Sequence, residues 1–133
     1  YPGIPRITVD EVEPHVPLYI KGVEVIPIRV MHGRLPILGY RIGRMAYITD
    51  LKTLPDEEWA YLQGLDCLIV NALRHEAHDT HQSLADALQM AGRVGAKQTW
   101  LIHMSHQIGL HAEVERSLPP AVHLAYDGVH IEV

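Results

Sequence analysis

Cysteine is nearly absent from this chain. The single one, Cys67, sits inside the apolar run Leu65 to Val70, so neither a disulfide framework nor a cysteine-based zinc cage can form within one chain. Its surroundings predict a buried, inert thiol. Positive charge is scarce as well: 11 Lys and Arg stand against 16 Asp and Glu, a formal charge of −5, and no basic run occurs. Nucleic acid is therefore not the expected partner, because a phosphate backbone calls for a basic footprint. No apolar stretch approaches the ~18 residues that cross a bilayer, and no charged leader precedes a hydrophobic segment. The expectation is a cytoplasmic protein with no membrane contact. Repeats and low-complexity tracts are also missing, and 133 residues with 47% hydrophobic content fit one domain with a real core.

What the chain has in excess is histidine. There are ten, five of them between His75 and His106, an enrichment that suits metal or phosphate chemistry. The opening segment, 1–17, carries Pro2, Pro5, Pro14 and Pro17 and reads as an irregular lead-in. From Leu18 to Ile42, the short runs Leu18 to Ile20, Val23 to Val30 and Ile37 to Ile42 read as strands, separated by Lys21-Gly22 and by a loop from His32 to Pro36. Gly43-Arg44 then joins a hairpin between Gly39 to Ile42 and Met45 to Thr49.

After Asp50 the pattern turns helical. Thr53-Leu-Pro-Asp-Glu-Glu58 offers a cap, an early proline and acidic residues, so a short helix is predicted up to Gly64. Leu65 to Asn71 reads as a strand buried on both faces in a parallel sheet. Ser83 to Val94 predicts a helix with Leu84, Ala87, Leu88 and Ala91 on its apolar stripe and Gly95 as its stop. Lys97 to Met104 follows as a strand and His111 to Leu118 as a helix ended by Pro119-Pro120. Val122 to Val133 reads as a terminal hairpin around Asp127-Gly128. The alternation of strand and helix indicates an α/β domain with part of its sheet parallel.

Catalytic groups in such folds gather at strand ends, and four candidates lie at or near element ends. His32 follows Pro27 to Met31 and precedes Gly33. Asp50 follows Ala46 to Thr49, and its two oxygens could bridge two cations. His103 lies within Trp100-Leu-Ile-His-Met104. His81 stands just before the helix that Thr80 or Ser83 would cap, where backbone N–H groups favour an anion such as phosphate. Each has an ordinary alternative: a turn or cap aspartate, a loop histidine, a satisfied core histidine, a solvated His-rich loop. His75, His78 and His81 recur at spacing three in Arg74 to His81, in a stretch read as loop.

The order of these residues raises their weight. A strand with His32-Gly33, a strand with Thr49-Asp50, Thr80-His81 opening a helix, and 22 residues later His103 resemble the C-terminal half of the metallo-β-lactamase-fold hydrolases. The phrases Gly39-Tyr-Arg-Ile42, Tyr47-Ile-Thr-Asp50, Asn71-Ala-Leu-Arg74, Thr80-His81, His103-Met-Ser-His106 and Ala125-Tyr-Asp-Gly128 look most like the phosphodiesterase branch typified by phosphoribosyl 1,2-cyclic phosphate phosphodiesterase. The tRNA 3′-processing endonucleases are more distant. The resemblance extends from about Leu18 through nearly the whole chain.

It implies an αββα sandwich and a dinuclear centre of two divalent ions, zinc or manganese, with a bridging hydroxide acting on a small-molecule phosphodiester or cyclic phosphate. His32 becomes a ligand of one ion, Asp50 the bridge and His103 a ligand of the other. His81 matches the non-ligand catalytic histidine beside the scissile phosphate. His78 and His106 become substrate-contact or supporting positions, whereas His15, His111, His123 and His130 match nothing in the pattern.

One departure is large: the family's His-x-His-x-Asp-His motif is nowhere in the sequence. The expectation is a single domain, residues 1–133, equivalent to a C-terminal half whose N-terminal partner half lies elsewhere. Alone it is expected to be incomplete and inactive, with an uncovered apolar sheet face that drives homo-oligomer formation. The competing reading is a non-catalytic interaction or scaffold domain keeping a relic metal site. A third, hydrolysis of a thioester or lactam, depends on pocket residues that the sequence does not reveal.

Overall fold

The structure is a computed structural model and describes residues 3–133; Tyr1 and Pro2, the first two residues of the expected lead-in, lie outside the described residues. Residues 3–17 form neither helix nor strand. Seven strands follow: β1 Leu18–Ile20, β2 Val23–His32, β3 Leu35–Ile42, β4 Met45–Ile48, β5 Cys67–Asn71, β6 Gln98–Ile102 and β7 Val122–Leu124. They form one sheet in sequence order. Neighbours from β1 to β4 are antiparallel and those from β4 to β7 parallel. Two α-helices, α1 Leu84–Val94 and α2 His111–Ser117, lie in the later crossovers. The result is the mixed α/β architecture that the strand and helix pattern predicts.

Local chemistry explains most boundaries. Gly43, with φ 57, turns β3 into β4 in two residues. Gly33, with φ 61, does the same between β2 and β3. The expected loop over His32 to Pro36 is therefore corrected: the ladder continues to His32↔Leu35, because a left-handed glycine lets the chain reverse at once. Helix α1 has a full capping box. Asp86 N–H donates to Ser83 Oγ at 3.2 Å, and Ser83 N–H donates to the Asp86 carboxylate at 3.0 Å. Gly95 closes it in the left-handed region.

Two other expectations are corrected. The helix after Asp50 is a 3₁₀ helix, Asp56–Leu62, with no side-chain cap. Thr53 does not cap it because its backbone N–H and C=O are both spent on Met31. There is no terminal hairpin: β7 pairs in parallel with β6, and no strand follows it. Val122 and Leu124 are buried in the core, so burial against β6 outweighs the local turn signal at Asp127-Gly128.

One face of the sheet carries the core. Ile28, Val30, Ala46, Ile48, Leu68, Val70, Leu101 and Leu124 cluster with Leu84, Ala87, Met90, Ala91 and Val94 of α1 and with Leu62. Cys67 is fully buried, and burial pushes its thiol pKa up, as an inert thiol requires. On the opposite face Tyr40, Tyr47, Ile69 and Trp100 stand in one cross-strand row by register. These are half-buried or exposed. Among the described residues no helix is long and apolar enough to cross a membrane.

Candidate metal centre

Strand direction brings the candidate residues to one edge. β2, β4, β5 and β6 all end there, because β2 and β4 both run antiparallel to β3 while β5 and β6 run parallel to β4. His32 is the last residue of β2, Asp50 lies two residues beyond β4, and His103 follows β6 directly. His81 is in the loop after β5, two residues before the Ser83 cap of α1. The pairing of Met31 with Thr53 draws the Asp50 to Thr53 segment back onto β2.

Asp50 is the common partner. Its Oδ1 lies 3.2 Å from His81 Nε2 and 3.5 Å from His103 Nε2. The Thr49 hydroxyl donates to Asp50 Oδ2 at 3.0 Å. The Nδ1 of His32 donates to the Asp50 carbonyl at 2.8 Å, which leaves its Nε2 lone pair free. His32 packs edge-on against His81 at 4.7 Å between centroids, and His81 stacks on His103 at 4.9 Å. His32, Asp50 and His81 can each offer one ligand atom within 4.8 Å of the others. That donor set, two imidazoles and a carboxylate, fits a divalent metal ion.

The electrostatics follow from burial and crowding. Burial pushes the Asp50 carboxyl up, but the hydrogen bonds from His81 and Thr49 and the charges of His103 and His81 outweigh it and leave the pKa lowered. Burial likewise lowers His81; Asp50 opposes this, His103 and His32 reinforce it, and the net shift is downward. Neutral His81 is thus favoured near neutral pH. One tautomer satisfies its neighbours, with Nε2–H donating to Asp50 and Nδ1 accepting from the Thr80 hydroxyl at 3.0 Å. That orientation presents a proton to the site.

His78 sits behind His81, its Nδ1 3.3 Å from His81 Nδ1 and accepting from Thr80 N–H at 3.3 Å. His106 is exposed at the start of the 3₁₀ helix His106–Ile108, and no contact found among the described residues ties it to the cluster. Of the histidines without a place in the pattern, His15 pairs with the buried Glu58 at 2.8 Å, while His123 pairs with Glu115 at the same distance. Sequence reasoning quoted Thr49, Thr80 and Asn71 within the motif phrases, and Thr80 as a candidate helix cap, but gave none of them a role at the site. Only Asn71 leaves a readable signal, as the one polar residue closing an otherwise apolar strand.

Residues 2–104 match a family described as a beta-lactamase superfamily domain. A protein of Porphyromonas gingivalis named octanoyltransferase is 43% identical over 130 residues, which are 97% of this chain and 26% of that protein. Among solved structures, a diphosphatase of the PhnP family superposes with a TM-score of 0.87 at 40% identity, covering 90% of this chain and 47% of the other. The metallo-β-lactamase-fold protein YhfI of Bacillus subtilis gives a TM-score of 0.72 at 20% identity, covering 89% and 53%. The short form of human tRNase Z gives 0.66 at 22%, covering 86% and 45%. The last two show shared fold alone. The chain thus spans about a quarter of the curated relative and about half of the solved structures.

Proposed function

This chain belongs to the beta-lactamase superfamily, and from that premise we propose that it is the C-terminal half of a metal-dependent hydrolase acting on small phosphodiesters or cyclic phosphates. The observation that carries the reading is the convergence of His32, Asp50, His81 and His103 at one sheet edge with Asp50 in contact with the other three. The likeness to a structure described as a diphosphatase supports phosphate chemistry. The name octanoyltransferase describes a protein most of which lies outside the match, so acyl transfer has no support from these residues.

In this reading His32, Asp50 and His103 would hold two divalent ions, whereas His81, whose ring nitrogen also lies close enough to join such a donor set, keeps its proton for the substrate. When bound, the ions supply the Lewis acidity that lets water attack a phosphodiester near neutral pH. His81 delivers the Nε2 proton to the leaving oxygen, and Thr80 holds its ring from behind. His78 supports that ring, and His106 meets substrate from the rim. Residues 1–133 act as one domain, cytoplasmic, whose remaining ligands come from the half of its relatives' length that it does not span. The same half covers the open sheet face, and in its absence that face associates with a second copy.

The test is metal titration of the purified chain, with zinc and manganese, beside Asp50→Ala. Binding is expected in the unmodified chain and lost in the variant. Undiminished binding in Asp50→Ala would sink the assignment. Hydrolysis of bis(p-nitrophenyl) phosphate by the chain alone is expected to be absent, and metal-dependent turnover would overturn its incompleteness.

A further inference from the structure

Asn71, the last residue of β5, is fully buried and is the one polar side chain of that strand. An unpaired amide there would carry a large desolvation penalty. Both its ends are instead matched to a single residue: Leu51 N–H donates to Asn71 Oδ1 at 2.7 Å, and Asn71 Nδ2 donates to the Leu51 carbonyl at 3.0 Å. The side chain takes the place of a strand partner for the one residue that follows Asp50. Leu51 is itself fully buried, so water cannot replace either bond.

The same Leu51 carbonyl also accepts Gln82 N–H at 2.9 Å, and Gln82 returns its own carbonyl to Leu73 N–H at 3.0 Å. Gln82 follows His81. Asp50, preceding Leu51, has φ 57 and sends its carbonyl to His32. Asn71 is also in register with Ile102, the residue before His103. One buried amide therefore fixes the peptide units next to Asp50 and His81, reaches His32 through Asp50, and sits beside the strand that carries His103.

We infer that Asn71 is the positioning residue of the centre: its two-point clamp on Leu51 holds Asp50 in its left-handed backbone and sets the distance between Asp50 and His81. The inference rests on the proposed metal site, and its chemistry is specific. Aspartate at this position would set a carboxylate oxygen against the Leu51 carbonyl, with no proton to bridge them. A leucine would leave the buried Leu51 N–H without a partner.

The experiment uses the purified 133-residue chain as Asn71→Asp, with Val94→Ala, at the far end of α1, as a comparator that loses core packing only. Zinc affinity is expected to fall about tenfold or more in Asn71→Asp and to stay unchanged in Val94→Ala, with both folded by circular dichroism. In the metal-free chain, the imidazole nitrogen signals of His32 and His81 should move in Asn71→Asp and not in Val94→Ala. Should Asn71→Asp fail to fold, Asn71→Ser, whose shorter side chain cannot make the two-point amide clamp on Leu51, carries the same expectations. Unchanged affinity and unchanged imidazole signals in a folded Asn71 variant would overturn the inference, as would equal changes in Val94→Ala. If the unmodified chain takes up no zinc, the metal site falls and the imidazole signals alone decide the role of Asn71.

Discussion

Gly33, Asp50 and His103 share a backbone conformation, with φ of 61, 57 and 58, and each lies at or just beyond the end of a strand that reaches the site. For glycine that region is free. For Asp50 and His103 it costs energy, and such strain persists where the surroundings over-determine it, often at functional positions. Gly33 has a further constraint. A Cβ there would stand 3.1 Å from Thr80 Cγ2, whereas one at Gly43, also left-handed, would meet nothing within 4 Å. Gly33→Ala and Gly43→Ala should each lose roughly 1 kcal/mol for the forced backbone, read from thermal melts. Only Gly33→Ala should also disturb the His81 imidazole signal, through the Thr80 hydroxyl that holds it; equal disturbance in Gly43→Ala would defeat this account. At this scale the sequence was legible in part. His32, Asp50, His81 and His103 could be given roles from their order along the chain, but the roles of Thr49, Thr80 and Asn71 could not be read there, because they lie in contacts that close only when strand ends meet.

The parallel strands have two ends with different chemistry. Their C-terminal ends carry the candidate site, and the opposite end carries a charge cluster. Asp66, just before β5, meets Arg44, before β4, at 2.8 Å and Lys97, before β6, at 3.0 Å. The hydrogen bonds from Arg44 and Lys97 hold the Asp66 carboxyl down at about 2, from its ordinary 3.8. A carboxyl lowered in the folded state contributes stability that is present above its unfolded pKa and lost as pH falls toward the folded one. The pins on three strand starts should therefore weaken between about pH 4 and pH 2. Asp66→Asn should lower the melting temperature at pH 6, and the gap from the unmodified chain should close by pH 2. A gap of the same size at both pH values would mean that packing, not charge, is responsible. Elements whose signals are local were legible: the two-residue turn at Gly43-Arg44, the Ser83 to Asp86 capping box and the Gly95 stop. The terminal hairpin was not, because β7 is decided by a distant partner, β6, and by burial of Val122 and Leu124. The 3₁₀ helix was read as a generic helix because the capping threonine is diverted to Met31.

For the whole molecule the decisive asymmetry is between the two faces of the sheet. One is sealed by α1, the 3₁₀ helix Asp56–Leu62 and their apolar side chains; the other presents Tyr40, Tyr47, Ile69 and Trp100 in a row. Beside that row a groove of about 370 Å³ is lined by Val12, Leu18, Ile20, Val25, Tyr40, Ile42 and Tyr47. An apolar surface of this kind is a binding face or a source of association. The sequence anticipated such a face from the resemblance to one half of a two-sheet sandwich, but its composition became visible only once register aligned the aromatic residues. Tyr47 is the informative position: it lies mid-row and is 41% exposed, so a charge there is tolerated by the fold while opposing apolar contact. Sedimentation velocity of the purified chain should show concentration-dependent association, and Tyr47→Lys should shift the population toward monomer with the melting temperature little changed. A chain that stays monomeric across the accessible concentration range, or a Tyr47→Lys variant that associates as strongly as the original, would show that this face is closed by the lead-in and sheet edge on their own and needs no second copy.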